Sequence, residues 1–576
     1  MIRELSMRRT FALFGSAALF AGAVACSGGG SPTPPRPNDN GSGGSGTGGG
    51  SVSNAGSGNM SSGGGGGSTV IGIDTLLKSC GTSSLGQPQL RRLTRGELQR
   101  TLDDIFPQVK GKWTVSIPEA ESALGFDNDP AVLTVGGQVA GKLLDTATDL
   151  ASALVADDVL PQVLPCASAA NHACAQTFLD QFGRRLFRRP LTQADKDRYL
   201  SFFDAQLAAS DFKSAIKWLT IGLIQSPHAI YRREVGTLSG GEYQLSPHEI
   251  AGELAYMFTG TTPSADLLAQ ADAGQLDSPE HLTTIAGQLL ATPAGQDTLQ
   301  RFFKGWLSYD QIPSTLPNVS GFGAVAPDMV KETQAFIQQT VLTNRGGLKE
   351  LLTASYTNPS QALSSFYGLP APSADYAPVE RPTGRGIGVL AQGSLIVAHS
   401  HEAASSPTLR GLLVFERLLC GKRPQVPPNV PTLVSASPGV KTTRQRYEEQ
   451  HMAAGVACAG CHKNFDPLGF GFEHFDEGGR YRAKEGNFDI NSAAMAAAPD
   501  GSTMSFTDQE SLMNDIAGQA TIHDCAAAYM ATYAFGTNEA CIGSSQVSDL
   551  RAGKIGLAEA FAKLASEPHF TKRDSQ

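Results

Sequence analysis

The chain has 576 residues, too many for one ordinary core and enough for three or four domains of roughly 100–200 residues each. Hydrophobic residues make up 41%, which supports globular cores, while charged residues make up only 17%. The net charge of −9 argues against a nucleic-acid partner, because phosphate binding relies on clustered Lys and Arg.

The amino-terminal stretch reads as a signal peptide over residues 1–25. Arg3, Arg8 and Arg9 precede an apolar, small-residue run from Phe11 to Ala25 that is short for a membrane span. It ends in AVAC, which puts Cys26 at the position of a lipobox cysteine; the competing reading is an ordinary cleavage near Ala25. Residues 26–69 are almost all Gly, Ser, Pro, Asn and Thr and cannot bury enough apolar surface to offset chain entropy. They predict a flexible tether with a span of roughly 35–40 Å. The expectation is an exported protein of the cell envelope, in the periplasm or at the outer membrane or cell surface. A lipid on Cys26 would hold it to the membrane.

Export places the nine cysteines where disulfides persist. With Cys26, Cys458 and Cys461 set aside, six remain: Cys80, Cys166, Cys174, Cys420, Cys525 and Cys541. Six cysteines allow fifteen connectivities. A short polar loop favours Cys166 with Cys174, and the next candidate pair is Cys525 with Cys541.

The body predicts a mainly α fold: a multi-domain helical body behind the disordered Gly/Ser-rich tether, with a small CxxCH segment near the carboxyl end. Thr94 and Glu97 have capping-box spacing before the stripe Leu98, Leu102, Ile105 and Phe106. Phe178, Phe182 and Leu186 share a helix face that Pro190 ends, and Thr192 with Asp195 opens the next helix. Arg184, Arg185, Arg188 and Arg189 form a basic cluster, which a helix carboxyl end explains better than nucleic acid does. Ser246, Pro247 and Glu249 start a further helix that Gly260 stops, and Thr262 with Pro263 starts another. GFDNDP, residues 125–130, predicts a side-chain-capped turn. Residues 310–380 read as loop-rich. Gly386, Gly388 and Ala391 match G-x-G-x-x-A, a weak match without a βαβ unit. Ser406 and Pro407 open a helix ending at Cys420 and Gly421, and helices continue after residue 499 to about Lys563. The predicted divisions are 70–165, 166–240 with the Arg-rich helix, 241–380, 381–498 with the CxxCH segment, and 499–576.

CAGCH, residues 458–462, carries the chemistry. Two thiols three residues apart can each add to a haem vinyl group, and the adjacent histidine can ligate the iron. On this reading Cys458 and Cys461 attach one haem c and His462 is the proximal metal ligand. A sixth ligand has several candidates in Met452, His474, Met495, Met504, His399 and His401. Two rival readings use the same residues: a structural disulfide or dithiol, and a zinc site drawing on Cys458, Cys461, His462 and His474. Phe465, Phe470, Phe472 and Phe475 either wall the haem or pack a core. Arg410 and Arg480 either meet propionates or hold helix ends, and Asp466, Glu473 and Asp476 read as turn-fixing residues. HExxH, P-loop and GxSxG motifs are absent from the sequence.

LRRLTRGELQRTL, FGRRLFRRPLT, LSPHEIAGELAYMFTG, SSPTLRGLLVFERLLC and CAGCHKNFDPLGFGFEHFDEGGRYR occur in that order. Together they resemble multi-domain exported proteins of planctomycetes and myxobacteria built from serial domains of unknown function, one of them called planctomycete cytochrome C-like. The resemblance covers most of residues 85–565. It implies haem attachment at Cys458 and Cys461, ligation by His462, and a role in electron transfer or haem-dependent redox chemistry with a redox partner. It names no substrate. The alternative function is a non-catalytic cell-surface binding or scaffold protein whose CxxC is a disulfide or zinc site.

Overall fold

A computed structural model describes residues 85–120, 125–423, 441–453, 458–536 and 544–575. The predicted signal peptide, Cys26, the tether, Cys80 and Cys541 lie outside those residues. Among the described residues no helix is long and apolar enough to cross a membrane.

The protein is mainly helical, and the local stop and start signals act as expected. Thr94 Oγ1 accepts from the Glu97 amide at 3.1 Å, and the Glu97 carboxylate accepts from the Thr94 amide at 2.9 Å. This box opens the Arg95–Ile105 helix and turns Leu98, Leu102 and Ile105 inward. Thr192 with Asp195 opens Gln193–Ala209 in the same way, and Ser246 with Glu249 opens Pro247–Thr259. Gly260 ends the latter at a φ of 64°, a left-handed conformation that a side chain would strain. The helix expected from Thr262 starts later, at Ala265, because Ser264 supplies the cap and Thr262 instead donates to the Arg185 carbonyl.

The arginine cluster is consumed internally. Arg184 pairs with Asp272, Arg185 with Asp104 and Arg189 with Asp195, while Arg188 donates to carbonyls at residues 228, 229 and 231. Asp129 accepts from the Ala131 amide at 2.9 Å, the expected capped turn.

Two large apolar cores form. The first gathers residues between Leu93 and Ile230, with Tyr256. The second runs from Leu245 to Phe570 and takes in Phe126. At its centre Trp306 is fully buried against Phe302 and Tyr529 and donates to the Arg417 carbonyl at 2.7 Å.

A buried charged seam lies beside these cores. Strand Gln89–Arg92 runs antiparallel to Tyr231–Glu234 and sets Arg91 opposite Arg232. Glu234 relieves that repulsion by receiving Arg91 at 3.1 Å, Arg232 at 3.4 Å and Arg573 at 2.8 Å. Glu253 takes Arg232 in a two-point contact at 2.9 and 3.0 Å. Strand Lys572–Asp574 delivers Arg573 by pairing with Glu242–Gln244, whose other neighbour is Thr237–Ser239. Each buried ion costs several kcal/mol in lost hydration, so the seam holds only because the charges are matched and bonded.

Several sequence expectations change here. Residues 310–380 are not loop-rich: they contain the helices Phe322–Ile337, Leu348–Thr353 and Gln361–Tyr367. Pro327 stands inside the first of these helices, where a proline loses a hydrogen bond; burial of Phe322, Met329 and Phe336 outweighs that loss. After residue 490 a hairpin appears, Ala494–Ala497 against Thr503–Phe506. Gly388 opens no nucleotide loop; its backbone packs onto Leu352 and its amide donates to the Ala354 carbonyl.

Cys166 and Cys174 are bonded as expected. Cys525 is bonded to Cys420, not to Cys541. Cys525 sits inside the Ala520–Phe535 helix, which carries the following chain away at 1.5 Å per residue and lays Cys525 against the end of the segment after Pro407.

Candidate metal and haem centre

Cys458 caps the single helical turn Ala459–His462. The amides of Cys461 and His462 both donate to the Cys458 carbonyl, at 3.1 and 3.0 Å. Residues three apart on such a turn share a face, so Cys458 and Cys461 are neighbours, with His462 next to them. Both thiols are unbonded and half-buried. The rival disulfide between them is therefore not formed.

The next turn, Asp466–Phe470, begins four residues after His462. Asp466 Oδ2 lies 2.9 Å from His462 Nδ1 and 3.3 Å from His451 Nδ1. Its other oxygen accepts from Thr408 Oγ1 at 2.7 Å. An ionised carboxylate only accepts, so both imidazoles carry their proton on Nδ1. Burial pushes the Asp466 carboxyl up, but the hydrogen bonds from His451, His462 and Thr408 outweigh it and hold it below the usual carboxylate range. No described residue engages His462 Nε2.

Three separate segments build this cluster. A capping box at Thr442 and Gln445 opens Thr443–Tyr447, which passes into a π-helical turn, Glu448–Met452. The π turn changes the side-chain register and brings His451 over His462, with ring centroids 4.0 Å apart. Thr408 comes from Pro407–Leu412, which Ser406 caps. That helix and Asp466–Phe470 touch at Gly411 and Gly469, where neither could carry a Cβ without meeting backbone atoms of the other segment.

Residues 91–156 match PSD3, a protein of unknown function (DUF1587), and 174–234 match PSD5 (DUF1595). Residues 245–369 match PSD4 (DUF1592), and 385–485 match PSCyt3 (DUF1588), the planctomycete cytochrome C-like domain. The chain belongs to the multi-domain proteins built serially from these domains. No curated protein and no solved structure matches it.

The PSCyt3 segment of this serial-domain protein contains Thr408, His451, Cys458, Cys461, His462 and Asp466 together. Among the described residues, His451, His462 and Asp466 are the group whose donor atoms stand within metal-ligand reach, all within 4.8 Å of one another. Neither thiol and not His474 joins that group. His474 stacks on Tyr481 and its Nδ1 lies 2.9 Å from the Arg482 carbonyl. His399 Nδ1 lies 2.9 Å from the Leu395 carbonyl. Met504 is fully buried in the core, and Met495 is 68% exposed.

The remaining named residues hold structure. Phe470, Phe472 and Phe475 are core side chains, and Phe465 also packs 5.0 Å from the His462 ring. Arg410 stands in the last turn of Pro407–Leu412 but is not exposed. It is buried, donating to the carbonyls of Phe472, Phe475 and Asp476 and to Ser400 Oγ. Asp476 fixes a turn through the amides of Gly478 and Arg480, and its other oxygen pairs with Arg480. Glu473 is buried against Arg410, Arg482 and Ser405.

Sequence reasoning missed His451 and Thr408 and gave Asp466 a turn-fixing role. The His462–Asp466 spacing of four was a usable signal, because that spacing brings an imidazole and a carboxylate together on helical backbone. Nothing local marks His451, which reaches the site through the π turn.

Proposed function

We propose that this serial-domain protein binds one covalent haem c and acts in electron transfer or haem-dependent redox chemistry at the cell envelope. Cys458 and Cys461 would form the thioethers, and His462 would be the proximal ligand. A bound haem supplies an iron that cycles between ferric and ferrous states. The rest is the chain's own work. The helical turn presents both thiols on one face, and Asp466 fixes the His462 tautomer so that Nε2 keeps its lone pair for a metal. That free Nε2, one residue beyond two unbonded thiols, is the observation that carries the reading. The PSCyt3 match agrees with it. Export and a lipid on Cys26 are part of the proposal, since haem attachment of this kind and a tethered body suit the envelope.

The test is protein matured in a host with a periplasmic haem-attachment system. Haem should stay with the polypeptide after acid–acetone extraction and add one haem mass, and Cys458→Ala with Cys461→Ala should abolish that mass. A colourless wild type from such a host overturns the proposal.

One observation favours a second reading. His451, His462 and Asp466 form a two-histidine, one-carboxylate donor set of the kind that holds Zn²⁺ or Fe²⁺. On that reading the protein is a scaffold with a structural metal. Stoichiometric metal in a haem-free wild type, lost in Asp466→Ala, would establish it.

A further inference from the structure

We infer that Asp466 is a positioning residue for the haem-ligating histidine and that His451 regulates how strongly it acts, so that the two together set the iron's midpoint potential. This inference rests on the haem reading above.

The argument starts from the acceptor. Asp466 is fully buried, and both of its oxygens are occupied: Oδ1 by Thr408, Oδ2 by two imidazole N–H groups. Its ion-pair partners among the described residues are His451 and His462 alone; no lysine or arginine reaches it. The negative charge of this carboxylate is therefore directed at two rings. A full carboxylate on Nδ1 draws proton density away from the imidazole and makes Nε2 more basic, more than a neutral carbonyl acceptor would. A more basic axial nitrogen stabilises ferric over ferrous iron, and hydrogen bonding around the axial ligand is one of the means by which a protein sets a potential.

His451 makes the effect adjustable. It shares the same oxygen with His462, at 3.3 Å against 2.9 Å. While His451 donates, Asp466 divides its charge between two donors. Without that donor, Oδ2 belongs to His462 alone and the ligand becomes more basic. The two side chains therefore act with opposite sign on one atom, although they belong to one cluster. A purely structural cluster has no reason to show that opposition.

The experiment uses full-length protein matured with covalent haem: wild type, Asp466→Asn, His451→Leu and the double variant. Midpoint potentials are measured by spectroelectrochemical titration. Asp466→Asn should raise the potential and His451→Leu should lower it. The double variant should lie closer to Asp466→Asn than to His451→Leu, because the carboxylate carries most of the His451 effect. Equal potentials, or shifts of the same sign in both single variants, overturn the inference while leaving the haem reading intact. A wild type without covalent haem overturns both. A second readout needs no haem: in apo protein labelled with ¹⁵N-histidine, long-range ¹H–¹⁵N correlations should show His462 protonated on Nδ1. Asp466→Asn should move that proton toward Nε2, and an unchanged tautomer overturns the positioning role.

Discussion

A Cβ placed on Gly411 would stand 3.2 Å from the amide nitrogen of Gly469 and still closer to the carbonyl of Phe465. The reciprocal is also true: a Cβ on Gly469 would fall on the carbonyl of Pro407. The two helices that carry Thr408 and Asp466 thus meet backbone to backbone, and neither backbone can yield as a flexible side chain would. Gly411→Ala and Gly469→Ala should each cost about 3 kcal/mol, the upper end for overpacking. Urea denaturation would show the loss. Each should also speed alkylation of the Cys461 thiol, because the wedge separates the turn from its support.

Cys420 and Cys525 are 105 residues apart, and Cys166 and Cys174 only 8. In the chain-entropy account the longer loop is worth about 4.7 kcal/mol and the shorter somewhat under ~3 kcal/mol. Cys420→Ser with Cys525→Ser should therefore lower stability more than Cys166→Ser with Cys174→Ser, by roughly 2 kcal/mol. Paired urea midpoints under non-reducing conditions decide this; equal losses would contradict it.

Glu234 answers three guanidinium groups. Burial pushes its carboxyl up, but Arg91, Arg573 and Arg232 overcome that and hold it well below the ordinary range. Glu234→Gln leaves three buried cations facing Glu253 and Glu97 only. The expected loss is about 3–5 kcal/mol, as for other broken buried pairs. Thermal unfolding and limited proteolysis of the Lys572–Asp574 strand would report it.

Asp195 gives a pH dependence of defined sign. Burial raises its carboxyl, but hydrogen bonds from Arg189 and Thr192 outweigh this and lower it to about 2. A depressed folded value contributes stability above the unfolded pKa of 3.8 that is lost as pH falls toward 2. Asp195→Asn should cost about 1 kcal/mol at pH 6 after allowing for solvent screening at this helix end. The gap to wild type in urea midpoint should narrow between pH 4 and pH 2.5. A gap that stays constant would assign the whole effect to the lost cap.

What could be read in the sequence was what the chain decides within a few residues. Thr94 with Glu97 and Ser246 with Glu249 close rings that involve only their own helix, so spacing alone announces them. Cys458, Cys461 and His462 are legible for the same reason. His451, Thr408 and Cys420 reach their partners through contacts that depend on the fold: a π turn, a glycine-to-glycine helix crossing and a distant helix. Arg410 read as a propionate or helix-end cation because nothing near it in sequence reveals the carbonyls of Phe472, Phe475 and Asp476 that surround it.

The Leu85 amide donates to Asp574, 489 residues further along the chain. Arg573, beside it, completes the set of cations around Glu234. Until Arg573 docks, the first strand can pair with Tyr231–Glu234, but its charge balance is missing one arginine. The amino-terminal core therefore closes fully only when the Lys572–Asp574 strand has docked, which makes that strand a latch for the native state.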